Sequence, residues 1–273
     1  MSEALHRDYS IGPELGRGRF GAVHRITSVS TGEPFAVKSI NKLLISDPFD
    51  LACITDEPKL TLLASGGPHT VNLHAVYEDP ASLHLVLDLC SGPDLLGLLS
   101  DRGPLSEAEA ASLISFITQA LACCHMRGLA HRDLKPENIL FDNNTGRPKL
   151  SDFGSAGLFS TDKKMSGLVG TAHYVAPEVV RGEEYGERVD VWSAGVVMYV
   201  MLGGVYPFVG EDVGEVFSAV LRGNLRFPTR IFGGVSREAK DLMRKMMCRD
   251  PERRLSAEAV LRHPWIKSFE NEL

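Results

Sequence analysis

The sequence predicts an α+β fold of two unequal lobes, a small one rich in strands and a larger one rich in helices. Between Tyr9 and Asp88, short strand-like runs alternate with turn signals, which is typical of an antiparallel sheet. From Asp94 onward, apolar residues recur every three or four positions, which is the period of amphipathic helices. No internal repeat or low-complexity linker divides the chain. We therefore expect the two lobes to meet near Asp88–Asp94.

The small lobe is predicted to hold five strands and one helix. A turn signal such as Thr31-Gly32 separates neighbouring strands. The helix, from about Asp50 to Ala64, interrupts them. The predicted strands are Ser10–Leu15, Ala22–Ser28, Pro34–Ile40, Val71–Tyr77 and Leu83–Leu89.

The clearest helix of the large lobe is Ser106 to Arg127. Ser106 is a suitable N-cap, Glu109 lies at capping-box spacing, and Gly128 follows as a C-cap signal. Further helices are predicted at Val189–Gly203, Asp212–Arg222, Ser236–Met247 and Ser256–Arg262.

The composition is that of an ordinary globular protein and argues against several classes. The chain has 273 residues, 44% hydrophobic and 23% charged, unlike disordered or fibrous proteins. Its net charge of -6 argues against a nucleic acid partner, because such binders carry a basic face. No run approaches the roughly 20 apolar residues that span a bilayer, and the polar N-terminus does not resemble a signal peptide. We expect a soluble, cytoplasmic protein.

The cysteines carry no sign of a disulfide framework or a metal site. There are five, and none forms a C-x-x-C pair. Reduced thiols in a cytosolic protein are the simplest interpretation, and a redox switch is the alternative. The five are Cys53, Cys90, Cys123, Cys124 and Cys248.

Two features of the small lobe suggest phosphate binding. Gly16, Gly18 and Gly21 form a G-x-G-x-x-G pattern, which in a dinucleotide-binding fold would lead into a helix. Here a strand follows, so a hairpin flap over phosphates is favoured, although an ordinary glycine-rich hairpin is possible. Lys38 ends an apolar strand, and Glu57 follows nineteen residues later on the predicted helix. Such a lysine–glutamate pair can hold an amine against phosphates.

Three segments of the large lobe decide the interpretation. They are His131-Arg132-Asp133-Leu134-Lys135-Pro136-Glu137-Asn138, Asp152-Phe153-Gly154 and Ala176-Pro177-Glu178. Together with the glycine-rich segment and Lys38, they match the protein-kinase signature in order. The chain is thus identified as resembling the eukaryotic protein kinases over residues 9–266.

This resemblance implies the two-lobed kinase fold. The small lobe would span about 9–88, the hinge about 88–94 and the large lobe about 95–266, with short tails at 1–8 and 267–273. ATP would bind in the cleft between the lobes, together with Mg²⁺. The protein would act on a protein substrate and exist as a monomer.

The resemblance also implies roles for individual residues. Asp133 would accept the proton of the attacking hydroxyl, and Lys135 would neutralise charge on the transferring group. Lys38 would hold the α- and β-phosphates. Asn138 and Asp152 would ligate magnesium.

The nucleotide would be enclosed mostly by small-lobe residues. The resemblance places the adenine ring between Val23, Ala36 and Leu140. Leu87 would be the gatekeeper, the backbone of Asp88 and Cys90 would hydrogen-bond the adenine edge, and Asp94 would contact ribose or a basic substrate residue. The other expected nucleotide-site residues are Leu15, Gly16, Gly18, Gly21, Lys38 and Glu57.

Other positions place the chain within the superfamily. Asp190 resembles the aspartate that braces the catalytic loop, and Arg254 resembles the ion-pair partner of Glu178. Lys135 is typical of serine/threonine kinases. His263-Pro264-Trp265-Ile266 resembles the end of kinase domains in the calcium/calmodulin-dependent group, which includes the plant calcium-dependent kinases.

A closer resemblance is to the plant phosphoenolpyruvate carboxylase kinases. It rests on Phe35–Ile40, Asp56–Leu60 and Val220–Thr229, and on the absence of an EF-hand loop or a basic calmodulin-target tail. It implies a calcium-independent kinase for an N-terminal serine of phosphoenolpyruvate carboxylase. Two alternatives stay open: a calcium-dependent-type kinase domain with other substrates, and a pseudokinase scaffold.

Four positions bear on activity and specificity. Pro58 follows Glu57 directly, so the helix is expected to be kinked or to begin late. Thr61 stands where kinases usually have an apolar residue, and Val200 where some basophilic kinases carry glutamate, whereas Glu137 would read a basic side chain upstream of the target serine.

The segment from Asp152 to Glu178 resembles a kinase activation segment. Arg132 belongs to the type that pairs with an activating phosphate. We expect activity without that phosphate, and we expect Thr171 to hydrogen-bond near Asp133 and Lys135.

Overall fold

The computed structural model describes residues 2–142 and 145–269 and confirms the α+β fold. Residue 1 of the predicted N-terminal tail and residues 270–273 of the C-terminal one lie outside the described residues. The small lobe contains an antiparallel sheet of five strands in the order β1-β2-β3-β5-β4. Its elements are α1 (Glu3–Asp8), β1 (Tyr9–Gly18), β2 (Gly21–Ser28), β3 (Pro34–Asn41), α2 (Pro48–Ala64), β4 (Leu73–Glu78) and β5 (Ser82–Asp88).

The two faces of the sheet are buried by different helices. Val37 and Val86 pack with Leu5 of α1 on one face, whereas Ile40 packs with Ile54 of α2 on the other. Because side chains alternate along a strand, β3 and β5 serve both layers. The predicted tail 1–8 therefore contains helix α1, which contributes the buried Leu5 to the core.

Helix α2 tolerates an internal proline. Pro58 lies inside the helix, although it cannot donate the usual backbone hydrogen bond. The expectation that this helix begins late is wrong, because its first residue is Pro48. Glu57 therefore has a complete helical turn on its N-terminal side.

The large lobe is helical, with two pairs of short strands among its described residues. Its helices are α3 (Leu95–Arg102), α4 (Glu107–Met126), α5 (Pro177–Val180), α6 (Arg188–Gly203), α7 (Val213–Arg222), α8 (Thr229–Phe232), α9 (Arg237–Met246), α10 (Ala257–Leu261) and α11 (Pro264–Ser268). The strands are β6 (Leu129–Ala130), β7 (Ile139–Phe141), β8 (Pro148–Leu150) and β9 (Gly157–Leu158), with β6 paired to β9 and β7 to β8. Short 3₁₀ turns occupy Pro136–Asn138 and Phe153–Ser155 of this lobe and Lys42–Leu44 of the small lobe.

Two helices form the centre of this lobe. Helix α4 begins with the predicted capping box between Ser106 and Glu109, and Gly128 after it has a positive φ of 69°. Helix α6 is apolar all round and almost entirely buried, as expected of a helix surrounded by others. Both contribute to the support of the catalytic loop, since His125 of α4 contacts Asp190 of α6, which accepts a hydrogen bond from the backbone of His131. Among the described residues, none of the helices has the length and apolar character required to cross a membrane.

Candidate active site

Lys38 lies at the centre of the cleft, held by two carboxylates. Its Nζ donates to Glu57 Oε1 at 2.6 Å and to Asp152 Oδ1 at 2.7 Å. Lys38 comes from β3, Glu57 from α2 and Asp152 from the large lobe, so three separate elements meet here. The predicted Lys38–Glu57 ion pair is therefore present despite Pro58.

The charges of this group are mutually dependent. Burial lowers the pKa of Lys38, but Glu57 and Asp152 outweigh that effect and raise it above its usual value. The charge of Lys38 holds the pKa of Asp152 down to about 2. Burial raises the pKa of Glu57, which is only 3% exposed. Lys38 is thus a permanent cation at neutral pH.

The residues predicted to contact adenine share one face of the sheet with Lys38. Ala36 is two residues before Lys38, and alternate residues of a strand point the same way. Val23 is the cross-strand partner of Lys38, and Leu87 is the partner of Ala36; such partners also share a face. These four side chains therefore form the roof of the cleft. Leu140 lies on β7 of the large lobe.

The three glycines of the glycine-rich segment, Gly16, Gly18 and Gly21, have different surroundings. A side chain at Gly21 would lie 1.7 Å from the carbonyl oxygen of Ser39, so β2 and β3 need a glycine there. A side chain at Gly16 or Gly18 would meet nothing within 4 Å. Packing within the chain therefore does not require glycine at these two positions. Leu15, beside Gly16, is 41% exposed.

The hinge is held from behind by the side chain of Asp88. Its carboxylate accepts hydrogen bonds from Asn72 and Lys149 and lies 2.7 Å from His74 Nε2. The Asp88 N–H donates to the Asn72 carbonyl at 3.1 Å.

Two other predicted hinge residues have roles of their own in the structure. Asp94 is the N-cap of α3, with its Oδ1 accepting from Gly97 N at 2.7 Å. Burial raises the pKa of the Cys90 thiol to about 11 and that of Cys124 to about 12. Both therefore remain protonated at neutral pH, and because the thiolate is the reactive form, this supports packing rather than redox chemistry.

The catalytic loop brings three polar side chains together. Lys135 Nζ donates to Asp133 Oδ2 at 2.8 Å and to Thr171 Oγ1 at 3.0 Å. Thr171 Oγ1 in turn donates to Asp133 Oδ1 at 2.7 Å. The expected contact of Thr171 with both residues is confirmed. It ties the activation segment, residues 152–178, to the proposed base.

Asp190 of α6 braces this loop, as the resemblance implied. It is fully buried and accepts from the backbone N–H groups of His131 and Arg132, both at 2.8 Å. His125 Nε2 lies 2.9 Å from its Oδ2. Burial raises the pKa of Asp190, but these hydrogen bonds outweigh it, so the net shift is downward. The anion in turn fixes Arg132 in a backbone conformation with φ of 66°.

Asn138 and Asp152, the two residues expected to ligate magnesium, offer oxygen donors of the kind that a divalent cation takes. Asn138 Nδ2 donates to the carbonyl of Asp133 at 2.8 Å, which leaves its amide oxygen as the ligand atom. Asp152 supplies a carboxylate. Within residues 2–142 and 145–269, no three His, Cys, Asp or Glu side chains cluster closely enough to hold a metal alone. Magnesium suits such a site, because it takes one or two protein oxygens and completes its shell with phosphates and water.

A second buried ion pair stabilises the large lobe. Arg254 donates to both carboxylate oxygens of Glu178, at 2.6 and 2.9 Å, and both side chains are almost completely buried. The expected Glu178–Arg254 pair is confirmed. It closes the activation segment against the helices below.

These features agree with the comparison against family models. The model described as "Protein kinase domain" matches residues 9–266. The chain belongs to the protein kinase domain family. Members of this family use ATP and a divalent metal. The expected class of enzyme, a serine/threonine protein kinase, is confirmed by this match together with the relatives described next.

The curated relatives are plant kinases of about twice the length. Calcium-dependent protein kinase 21 of Arabidopsis thaliana is 40% identical over 270 residues, covering 98% of this chain and 51% of that protein. Calcium-dependent protein kinase 29 of the same plant is 42% identical over 260 residues, with coverages of 94% and 48%. Calcium-dependent protein kinase 2 of Oryza sativa subsp. japonica is 41% identical over 267 residues, with coverages of 97% and 52%. The chain spans about half the length of these relatives.

The sequence did not predict the roles of two residues that connect the lobes. Arg127 Nη1 donates to the carbonyls of Leu63, Ala64 and Ser65, so a large-lobe residue caps the C-terminus of α2. Lys149 ties Asp88 of the hinge to the large lobe. Neither belongs to a motif, since each depends on where its partners lie after folding.

Proposed function

We propose that this chain is an active serine/threonine protein kinase that transfers the γ-phosphoryl group of MgATP to a serine of phosphoenolpyruvate carboxylase without calcium. One observation carries the catalytic part. The Lys38–Glu57 pair is closed while Asp133, Lys135 and Thr171 are hydrogen-bonded together. Kinase activity requires the first pair and the catalytic aspartate to be in place at the same time.

In this proposal, each residue of the loop has one task. Asp133 accepts the proton of the substrate hydroxyl, and the neighbouring Lys135 contributes positive charge where phosphoryl oxygens gather. Thr171 orients the Asp133 carboxylate through its hydrogen bond. Catalysis then depends mainly on positioning and electrostatic stabilisation, which is how phosphoryl transfer is generally accelerated.

The nucleotide and metal would be held by residues of both lobes. The metal would supply positive charge that neutralises the phosphates. Asn138 and Asp152 would be its protein ligands, Lys38 would contact the phosphates, and the roof residues would enclose adenine. The backbone at Gly16 and Gly18 would close over the phosphates from above.

The substrate assignment rests on the resemblance of three segments to the plant phosphoenolpyruvate carboxylase kinases. A structural feature supports a basic residue near the target serine. Among the residues that the structure describes, the buried carboxylate oxygen Oε2 of Glu137 has no hydrogen-bond partner. An unpaired carboxylate of this kind is costly unless a cation completes it. An arginine or lysine of the substrate would do so.

A second candidate is a kinase domain of the calcium-dependent type that acts on other proteins. The names of the plant relatives favour it. The pseudokinase alternative has less support, because the lysine, the catalytic aspartate and both metal-ligand positions are intact and assembled.

The test is to incubate the purified chain with MgATP and phosphoenolpyruvate carboxylase, with calcium or with a chelator, and to map phosphoserine. A generic basic peptide serves as a second substrate. Asp133→Asn is the control, because it removes the proposed base and keeps the shape of the site.

The outcomes separate the parts of the proposal. Phosphorylation of an N-terminal serine that survives chelation and disappears in Asp133→Asn supports all of it. Phosphorylation of the peptide alone refutes the substrate and keeps the kinase. Loss of activity on chelation refutes calcium independence. Nucleotide binding without transfer to either substrate would refute the active kinase.

A further inference from the structure

The activation segment is anchored to the large lobe by a short antiparallel bridge. Met165 and Tyr185 exchange backbone hydrogen bonds of 2.8 and 2.9 Å. The Tyr185 hydroxyl donates to the carbonyl of Gly167, at 3.0 Å, and lies 3.3 Å from that of Ser166. Tyr185 is only 3% exposed. Three consecutive residues of the segment therefore contact one buried tyrosine.

Arg132 is part of the same cluster. Its Nε and Nη2 donate to the carbonyls of Ser155 and Ala156, at 2.6 and 2.9 Å, and its Nη1 lies 3.5 Å from the Tyr185 hydroxyl. The guanidinium thus binds the beginning of the activation segment directly. A phosphate that attracted Arg132 would have to break these contacts.

The cluster is tightly packed. A side chain on Gly157 would lie 2.7 Å from the sulfur of Met165 and 2.9 Å from the Arg132 guanidinium. Met165 and Tyr185 are both buried and pack in the hydrophobic core of the large lobe. The bridge is therefore built into the core and is not a loose surface contact.

The position of Tyr185 along the chain links this bridge to catalysis. Asp190, which holds the catalytic loop, follows five residues later, and Thr171, which contacts Asp133, lies four residues after Gly167. Residues 185–190, just before and at the start of α6, thus hold both the catalytic loop, which carries Asp133, and the activation segment.

We propose that Tyr185 is a positioning residue: its hydroxyl holds residues 165–171 in the arrangement that receives a protein substrate, without any phosphate on the segment. Tyr185 touches neither substrate nor nucleotide. It acts through Gly167 on the stretch that leads to Thr171. This inference rests on the proposed kinase activity, but the anchoring itself does not.

Tyr185→Phe tests the proposal, because it removes the hydroxyl and keeps the buried ring. Tyr199→Phe is a matched control. Tyr199 is equally buried, at 3% exposure, and its hydroxyl also donates to a backbone carbonyl, that of Arg226, at 2.8 Å. Tyr199 lies on α6, and within the described part of the chain its hydroxyl has no hydrogen bond to the activation segment.

Two measurements are made on each variant. The first is limited trypsin digestion after the exposed Lys163 and Lys164. The second is the KM for the protein substrate and for ATP. We expect Tyr185→Phe to speed cleavage and to raise the protein-substrate KM about tenfold, the effect of one lost buried hydrogen bond. The KM for ATP is expected to stay unchanged, and Tyr199→Phe to change neither cleavage rate nor KM.

The melting temperatures of both variants show whether a general loss of stability explains the result. Equal cleavage and equal KM in Tyr185→Phe and the wild type would overturn the proposal, as would the same changes in Tyr199→Phe. Phosphatase treatment of the wild type should leave its cleavage rate unchanged, and faster cleavage would overturn the phosphate-free anchor. If the wild type transferred no phosphate at all, the proposed function would fail, while the digestion would still test Tyr185.

Discussion

Replacing Glu57 by glutamine is expected to impair phosphoryl transfer while leaving the domain folded. In the structure the Lys38 ammonium is shared between Glu57 Oε1 at 2.6 Å and Asp152 Oδ1 at 2.7 Å. Glutamine keeps the shape and one oxygen acceptor but removes the negative charge. Lys38 is then drawn toward Asp152 and away from the phosphates.

The size of the effect follows from the kind of hydrogen bond that is lost. A bond to a charged group contributes about 1.5–3 kcal/mol and a neutral one about 0.5–1.5 kcal/mol. The difference of about 1–2 kcal/mol corresponds to a fall of about 5- to 30-fold in kcat/KM. The melting temperature should fall only slightly, because Lys38 loses the charge of Glu57 but keeps its ion pair with Asp152.

The assay is steady-state phosphorylation of a basic peptide at varied ATP, with thermal unfolding measured in parallel. Glu78→Gln is the matched control, because Glu78 pairs with Lys42 of the same lobe but is 65% exposed. Exposed pairs contribute little, so this variant should retain wild-type kcat/KM. A Glu57→Gln protein within twofold of the wild type would refute the role assigned to the pair.

Three further outcomes are expected. Arg254→Met should lower the free energy of unfolding by about 3–5 kcal/mol in chemical denaturation, because Glu178 is left buried without its partner; a loss below 1 kcal/mol would contradict the stabilising role. Thr61→Val should raise that free energy by about 1 kcal/mol, since the buried Thr61 hydroxyl has no hydrogen-bond partner within residues 2–142 and 145–269; destabilisation would show that the hydroxyl is satisfied. Glu109→Gln should lower the free energy of unfolding by about 1 kcal/mol at neutral pH, because it removes the charge of the capping box. The hydroxyl of Ser106, and next the guanidinium of Arg102, hold the pKa of Glu109 at about 2, below its usual 4.5. Its contribution is present above pH 4.5 and is lost as the pH falls toward 2, so the difference in melting temperature from the wild type should shrink over that range; a constant difference would contradict it.

Local structure was predicted well where the signal is local. The capping box of Ser106 and Glu109 marks the start of α4 because its hydrogen bonds lie within one helical turn. The alternation in β2 and β3 likewise predicts strands, since each side chain's environment repeats along the strand. Pro58 misled the interpretation, because packing of α2 against the sheet outweighs the local cost of an internal proline.

The candidate site was predicted in composition but not in geometry. The motif residues Lys38, Asp133, Asn138 and Asp152 could be named from their order and spacing. Asp94 shows the limit, because its side chain caps α3 in the structure, and its spacing does not reveal this. Tyr185 and Arg127 have no motif at all.

The sequence by itself determined the fold class, most helices and strands, and the motif residues proposed for the active site. It did so because periodicity, caps and motif spacing are properties of neighbouring residues. Only the tertiary structure decided which of them touch. Lys38 meets Asp152 across 114 residues of chain, and Tyr185 meets Gly167 across a loop. Such contacts depend on how elements pack against one another, and packing is a property of the whole chain rather than of any segment.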